Sequence, residues 1–301
     1  MNDGAAHGWT RRRVLATGLG SAAAIIAGGF ELVDHGVLPG KDILDRLDGA
    51  CSVPTPPETF RTPGETITGR FYSHARNRDV GYTIAYPPGH ARGSRLPLGL
   101  YLHADGGNHA SDFGGLPLAG ALAGAGLPAI ALVAADGGNL YWHPHPGDDP
   151  MGMMIDEVIP MCQGLGLGQT SGSIGTIGVS MGGYGAILFA EKYPRTISAA
   201  AAISPAIWTR YAQARAANPS AYTNAQEFAH YDAVAHTSAL ADTPLRVVTG
   251  NDDPFLPGVL ALIKRLPRSA ITEITGGCHD REFFASQRHR SISFLGEHLS
   301  T

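Results

Sequence analysis

From residue 65 onward, apolar positions fall into short runs separated by glycine, proline and polar turns. Residues 66–73 and 80–86 alternate apolar and polar side chains across a polar turn at 76–79, the pattern of two antiparallel strands. Residues 96–103 form a continuous apolar run, as expected of a strand covered on both faces, 128–135 predict another buried strand, and further strands are expected at 173–179, 197–203, 245–249 and 271–274. Segments of helix length lie between and after them, at 117–125, 150–165, 184–193, 256–266 and 281–299. Strands alternating with helices predict an α/β fold: a mostly parallel, doubly wound sheet with helices on both faces. Ligands bind such sheets beyond the carboxyl ends of the strands. The alternation breaks at 205–241, where Ala-rich pieces carrying Trp208, Tyr211, Tyr222, Phe228 and Tyr231 predict a small helical cap over that edge.

The first 33 residues follow a different pattern. Arg11, Arg12 and Arg13 precede a stretch without charge, Val14 to Phe30, rich in Ala, Gly, Leu and Ile. Paired arginines before an apolar segment resemble a twin-arginine export signal, so 1–33 is expected to be a signal or, uncleaved through 14–33, a membrane anchor. Residues 34–64 are polar and end rich in proline; they predict a linker with a short helix at 41–47, and 65–301 is the expected catalytic domain. An exported bacterial protein of the cell envelope or exterior follows. Cys51 lacks a lipobox, since Asp48 stands where a small apolar residue belongs.

Composition narrows the function. Net charge is −4, and no Lys/Arg cluster lies beyond the N-terminus, which argues against a nucleic-acid partner. The three cysteines, Cys51, Cys162 and Cys278, form no C-x-x-C pair and no metal-ligand spacing. The twin-arginine route carries folded proteins, so the domain is expected to fold without a disulfide. His143, His145, Asp148 and Asp149 have the composition of metal ligands but sit among Pro144, Pro146 and Gly147; a loop flanking the pocket is expected there, not a metal site. Asp156 and Glu157 are expected on the solvated side of a helix.

The chemistry centres on Gly178-Val179-Ser180-Met181-Gly182. G-x-S-x-G alone is weak in a Gly-rich chain, but here an apolar strand precedes it and a helix-length segment follows. That context is the nucleophile elbow of α/β-hydrolases, with Ser180 at a strained turn above the sheet edge. Downstream, Gly250-Asn251-Asp252-Asp253-Pro254 follows one predicted strand and Gly276-Gly277-Cys278-His279-Asp280 follows the last. Asp253, with Asp252 as the alternative, is the expected acid and His279 the expected base, in the order Ser, Asp, His. The expected oxyanion donors are the N–H of Met181 and that of Asp105, or Ala104, in the loop after the third strand. Tyr184, Trp142, Trp208 and Phe255 are expected to line the substrate pocket.

Residues 80–299 resemble the esterases of the α/β-hydrolase superfamily that are related to S-formylglutathione hydrolases and mycolyltransferases. The likeness is carried by His103–Gly107, Tyr141-Trp142-His143, Gly178–Gly183, Gly250–Phe255 and Gly277–Asp280. Ala104 departs from the H-G-x-G-G common in that group. The resemblance implies a serine esterase that needs no cofactor and acts on a small-molecule or lipid acyl ester. The alternative is an acyltransferase that moves the acyl group to a sugar hydroxyl, and a third reading is a non-catalytic binding protein on a hydrolase fold.

Overall fold

The computed structural model describes residues 51–53, 64–111, 126 and 129–299. Residues 1–50, the expected helices 41–47 and 117–125, and 54–63 of the expected linker lie outside the described residues. The described chain belongs to a compact unit that begins at Cys51.

Eight strands form one sheet: β1 Thr66–Ser73, β2 Arg78–Ala85, β3 Leu98–Leu102, β4 Ala131–Ala135, β5 Ile174–Val179, β6 Ala199–Ile203, β7 Leu245–Gly250 and β8 Ile271–Thr275. Their order is β1-β2-β4-β3-β5-β6-β7-β8. β1 and β2 pair antiparallel, β2 runs antiparallel to β4, and every pairing from β4 to β8 is parallel. After β3 the chain moves outward to β4, then returns to the far side of β3 to form β5. The crevice at the carboxyl ends of β3 and β5 is therefore the switch point where a ligand fits.

The central strands β3, β4, β5 and β6 are buried along their whole length, while β8 at the edge leaves Ile271 and Ile274 exposed. Helix α2, Met181–Lys192, packs on one face and α6, Arg281–His298, on the other. β6 reads Ala-Ala-Ala-Ala-Ile, and its small side chains let both helices approach closely. The helix after β4, α1, runs through Pro150–Gly152, Met153–Val158 and Ile159–Gly164, and its middle segment is a wider π turn. Pro160, which has no N–H to donate, follows that turn, so the register shift falls where an α-helical bond would be lost in any case. α5 is Leu256–Ile263.

The cap expected at 205–241 contains α3, Tyr211–Ala217, α4, Ala225–His230, and a 3₁₀ turn, Thr237–Leu240. Polar contacts fasten it to the body. Trp208 Nε1 donates to Tyr141 Oη at 2.8 Å, Asn218 Nδ2 to the Asn139 carbonyl at 3.0 Å, and Tyr184 Oη to the Tyr231 carbonyl at 2.5 Å.

Three expectations are corrected. Cys51 and Cys278 form a disulfide across 227 residues, with Cα atoms 4.9 Å apart, so a residue within the expected linker is bonded to the catalytic body. No spacing rule reveals a pairing of that range, because the fold and not the sequence brings the two residues together. Glu157 is not merely solvated: its carboxylate accepts from Ser73 Oγ at 2.6 Å and from the N–H groups of His74 and Ala75, closing the turn after β1. Trp142 and Tyr184 belong to the core. Trp142 is fully buried, its indole N–H donating to the His103 carbonyl and its ring filling space left by Gly137 and Gly185. Tyr184 is buried with its hydroxyl spent on the cap, so neither ring faces a substrate.

Candidate active site

The elbow is set by backbone sterics. A methyl group on Gly178 would overlap the Gly182 carbonyl, and one on Gly182 would overlap the Leu102 carbonyl, so β5, α2 and β3 meet only where side chains are missing. Ser180 itself has φ 56°, a left-handed conformation rare for a residue with a Cβ. It is held there by backbone bonds on both sides: its N–H donates to the Ile203 carbonyl, and its carbonyl accepts from Tyr184 and Ala206. The turn raises the side chain above the sheet at the amino end of α2.

His279 lies in the loop between β8 and α6 and reaches back to Ser180. Its Nε2 is 2.8 Å from Ser180 Oγ, and its Nδ1 is 2.9 Å from Asp253 Oδ2. Asp253, after β7, also accepts from Thr249 Oγ1 at 3.1 Å and from the Phe255 N–H at 2.8 Å. Burial opposes its charge, but the hydrogen bond and charge of His279 outweigh it, with the Phe255 N–H adding to them. The carboxyl is held below the usual range as a result. Between the two adjacent aspartates, Asp253 makes this contact.

The loop after β3 is organised by His103. The Gly137 N–H donates to its Nε2 at 2.9 Å, so the proton sits on Nδ1, which donates to the Ala104 carbonyl at 2.8 Å. Burial lowers the pKa of this ring and keeps it neutral. The Ala104 carbonyl also accepts from Gly107 N at 2.9 Å. Because a trans peptide points its N–H opposite to its C=O, the Asp105 N–H is turned away from His103. Among the described residues that N–H has no acceptor. The Met181 N–H, first in α2, likewise has none to expect within its helix. Trp208 and Phe255 flank the triad: their rings meet edge to face at 4.7 Å, and Phe255 lies 4.9 Å from the His279 ring.

The second histidine cluster is of another kind. His143 is fully buried and stacks on His145 at 4.3 Å, on Tyr231 at 4.2 Å and on Tyr222 at 4.9 Å. Its Nε2–H donates to the Ala221 carbonyl, and that of His145 to the Leu140 carbonyl. Both Nδ1 atoms face Glu227 Oε1, at 3.9 and 3.8 Å. A shared ion would have to lie in both ring planes about 2 Å from each nitrogen. Rings stacked at 4.3 Å and tilted by only 28° have planes that meet well beyond that reach. Asp148 and Asp149 are engaged elsewhere: Asp148 pairs with the buried Arg76, and Asp149 caps α1.

Residues 154–264, which carry Ser180 and Asp253, match the sequence profile of the family Esterase, described as "Putative esterase". A search of the curated proteins finds no match. Among solved structures the chain is similar to a ferulic acid esterase, at TM-score 0.66 and 17% identity over 77% of this chain and 98% of that one. It is similar to the S-formylglutathione hydrolase FrmB of Staphylococcus aureus, at TM-score 0.64 and 15% identity over 77% and 98%. The fluorophosphonate-binding serine hydrolase FphF of the same organism gives TM-score 0.62 and 15% identity over 78% and 99%. The family match thus spans residues 154–264, and the chain shares the fold of these solved structures.

Proposed function

We propose that the protein hydrolyses acyl esters through a covalent intermediate on Ser180. His279 Nε2 takes the hydroxyl proton as Ser180 Oγ attacks the ester carbonyl, and Asp253 fixes the imidazole tautomer and stabilises its charged form. The N–H groups of Met181 and Asp105 hold the negative oxygen of the tetrahedral intermediate. His279 then passes its proton to the departing alcohol. Water enters and loses a proton to the same nitrogen as it attacks the acyl carbon; that proton then returns to Ser180 Oγ as the acid leaves. No cofactor is needed for these steps. Trp208 and Phe255 form one wall of the acyl pocket.

The observation that carries this reading is the unbroken relay from carboxylate to imidazole to hydroxyl, with both contacts under 3 Å. The apolar stretch after the arginine pair supports an exported enzyme whose ester lies in the cell envelope or outside it. A fluorophosphonate probe should label the wild type and leave folded Ser180→Ala unlabelled. A folded wild type that stays unlabelled sinks the proposal. A p-nitrophenyl ester series from acetate to palmitate, with aryl esters and with trehalose as acceptor, separates hydrolysis from transfer and sets the acyl length.

A further inference from the structure

The loop that carries His279 has an uneven set of restraints. On its amino side, the Gly277 N–H donates to Asn251 Oδ1 at 3.1 Å and the Gly277 carbonyl accepts from Asp252 N at 3.1 Å. Gly277 has φ 140°, and a methyl there would strike the Phe283 ring and press on Val53. On its carboxyl side, Asp280 caps α6 through the Phe283 N–H at 2.9 Å. Between these anchors, neither Cys278 nor His279 makes a backbone hydrogen bond among the described residues. Besides the side-chain bonds of His279 to Asp253 and Ser180, what holds the backbone of that stretch is covalent: Cys278, the residue before the base, is bonded to Cys51. Both sulfurs belong to buried residues, and Val53 packs beside them against the core under α6.

We propose that Cys51 and Cys278 are positioning residues for His279. Their bond keeps the imidazole between Asp253 and Ser180, and reducing it lowers turnover while the sheet stays folded. The chemistry balances with a small dithiol as reductant: two electrons and two protons convert the disulfide to two thiols, and the dithiol leaves as a cyclic disulfide. The inference rests on the esterase reading above. It goes beyond it by making activity depend on the oxidation state of the compartment, through a residue 227 positions upstream of the loop it steadies. A displacement of about 1 Å in a reacting group can cost ~100-fold in rate, so a loosened loop is felt in kcat before it is felt in the fold.

The test uses the full chain in three forms: oxidised, reduced with dithiothreitol then alkylated and desalted, and Cys51→Ser. Each is assayed for kcat and KM on p-nitrophenyl acetate, with near-ultraviolet circular dichroism and Tm measured on the same samples. The expected result is a kcat lowered ~10-fold or more in the reduced form and in Cys51→Ser, with KM within about twofold. Unalkylated reduced protein should regain activity on reoxidation, whereas Cys51→Ser should not respond to redox treatment. A reduced protein that stays folded with kcat within about twofold of the oxidised form overturns the proposal. Loss of tertiary signal in both the reduced form and the variant also overturns it, assigning the bond to global stability. Fluorophosphonate labelling of oxidised wild type separates the two readings: without labelling the esterase reading has failed and this one falls with it.

Discussion

Two regions of the protein set a histidine beside a carboxylate, and only one of them can do acyl chemistry. At His279 the carboxylate is 2.9 Å away, the other ring nitrogen meets a hydroxyl at 2.8 Å, and the side chain keeps 19% of its surface open. At His143 the carboxylate is 3.9 Å away, the outward nitrogen is spent on a backbone carbonyl, and the side chain is fully enclosed. Burial, with the charge of His145 adding to it, pushes the His143 pKa down to about 4, so it stays neutral, whereas the mechanism proposed above has His279 gain and lose a proton. Residue type and loop position are alike in the two places. The difference lies in what each outer nitrogen faces: a nucleophile in one, a carbonyl of the cap in the other. A catalytic base needs a partner that can give up a proton; a structural one needs a partner that cannot.

That comparison can be broken by exchanging losses. His279→Gln should lower kcat on a p-nitrophenyl ester by roughly 10³–10⁶ and shift Tm little, because it removes the relay and no core. If the variant keeps more than a tenth of wild-type kcat, His279 is not the base. His143→Ala should do the reverse. Deleting a fully buried ring that joins loop to cap should cost ~2–4 kcal/mol, read by urea denaturation, while kcat falls less than about tenfold. A collapse of kcat at unchanged stability would place His143 in the chemistry.

A smaller effect concerns a third buried group. Glu191 on α2 is enclosed, both its carboxylate oxygens lack a partner among the described residues, and burial raises its pKa to about 9. The folded state therefore binds a proton that the unfolded chain releases near pH 4.5. The stability tied to that proton is complete below this point and is lost as pH rises through about 9. Glu191→Gln, measured by thermal melts from pH 5 to 9, should flatten that decline and gain ~1–3 kcal/mol at the alkaline end. An unchanged slope would mean the carboxyl is solvated. The smallest expected effect is none: EDTA or added zinc should leave kcat unaltered, since the stacked rings of His143 and His145 cannot converge on one ion.

Much of the frame was legible in the sequence because it is written in local patterns. Continuous apolar runs gave the doubly covered strands, and the glycines around Ser180 marked a turn that admits no side chain. Chain order then pointed to Asp253 and His279, which the fold brings together after 73 and 99 residues. What stayed hidden depends on contacts without a period. Trp142 and Tyr184 read as pocket aromatics because aromatic type does not say which way a ring turns; Gly137, Gly185 and the Tyr231 carbonyl decide that. Glu157 read as solvated because its partners lie more than eighty residues upstream. The disulfide was illegible for the same reason at greater range.

The central claim is tested most directly by stopping the reaction halfway. Protein mixed with excess p-nitrophenyl butyrate and quenched in acid within milliseconds should gain the mass of one butyryl group, and peptide mapping should place it on Ser180. Turnover of the ester with no such adduct, or with the adduct on another residue, would contradict the account.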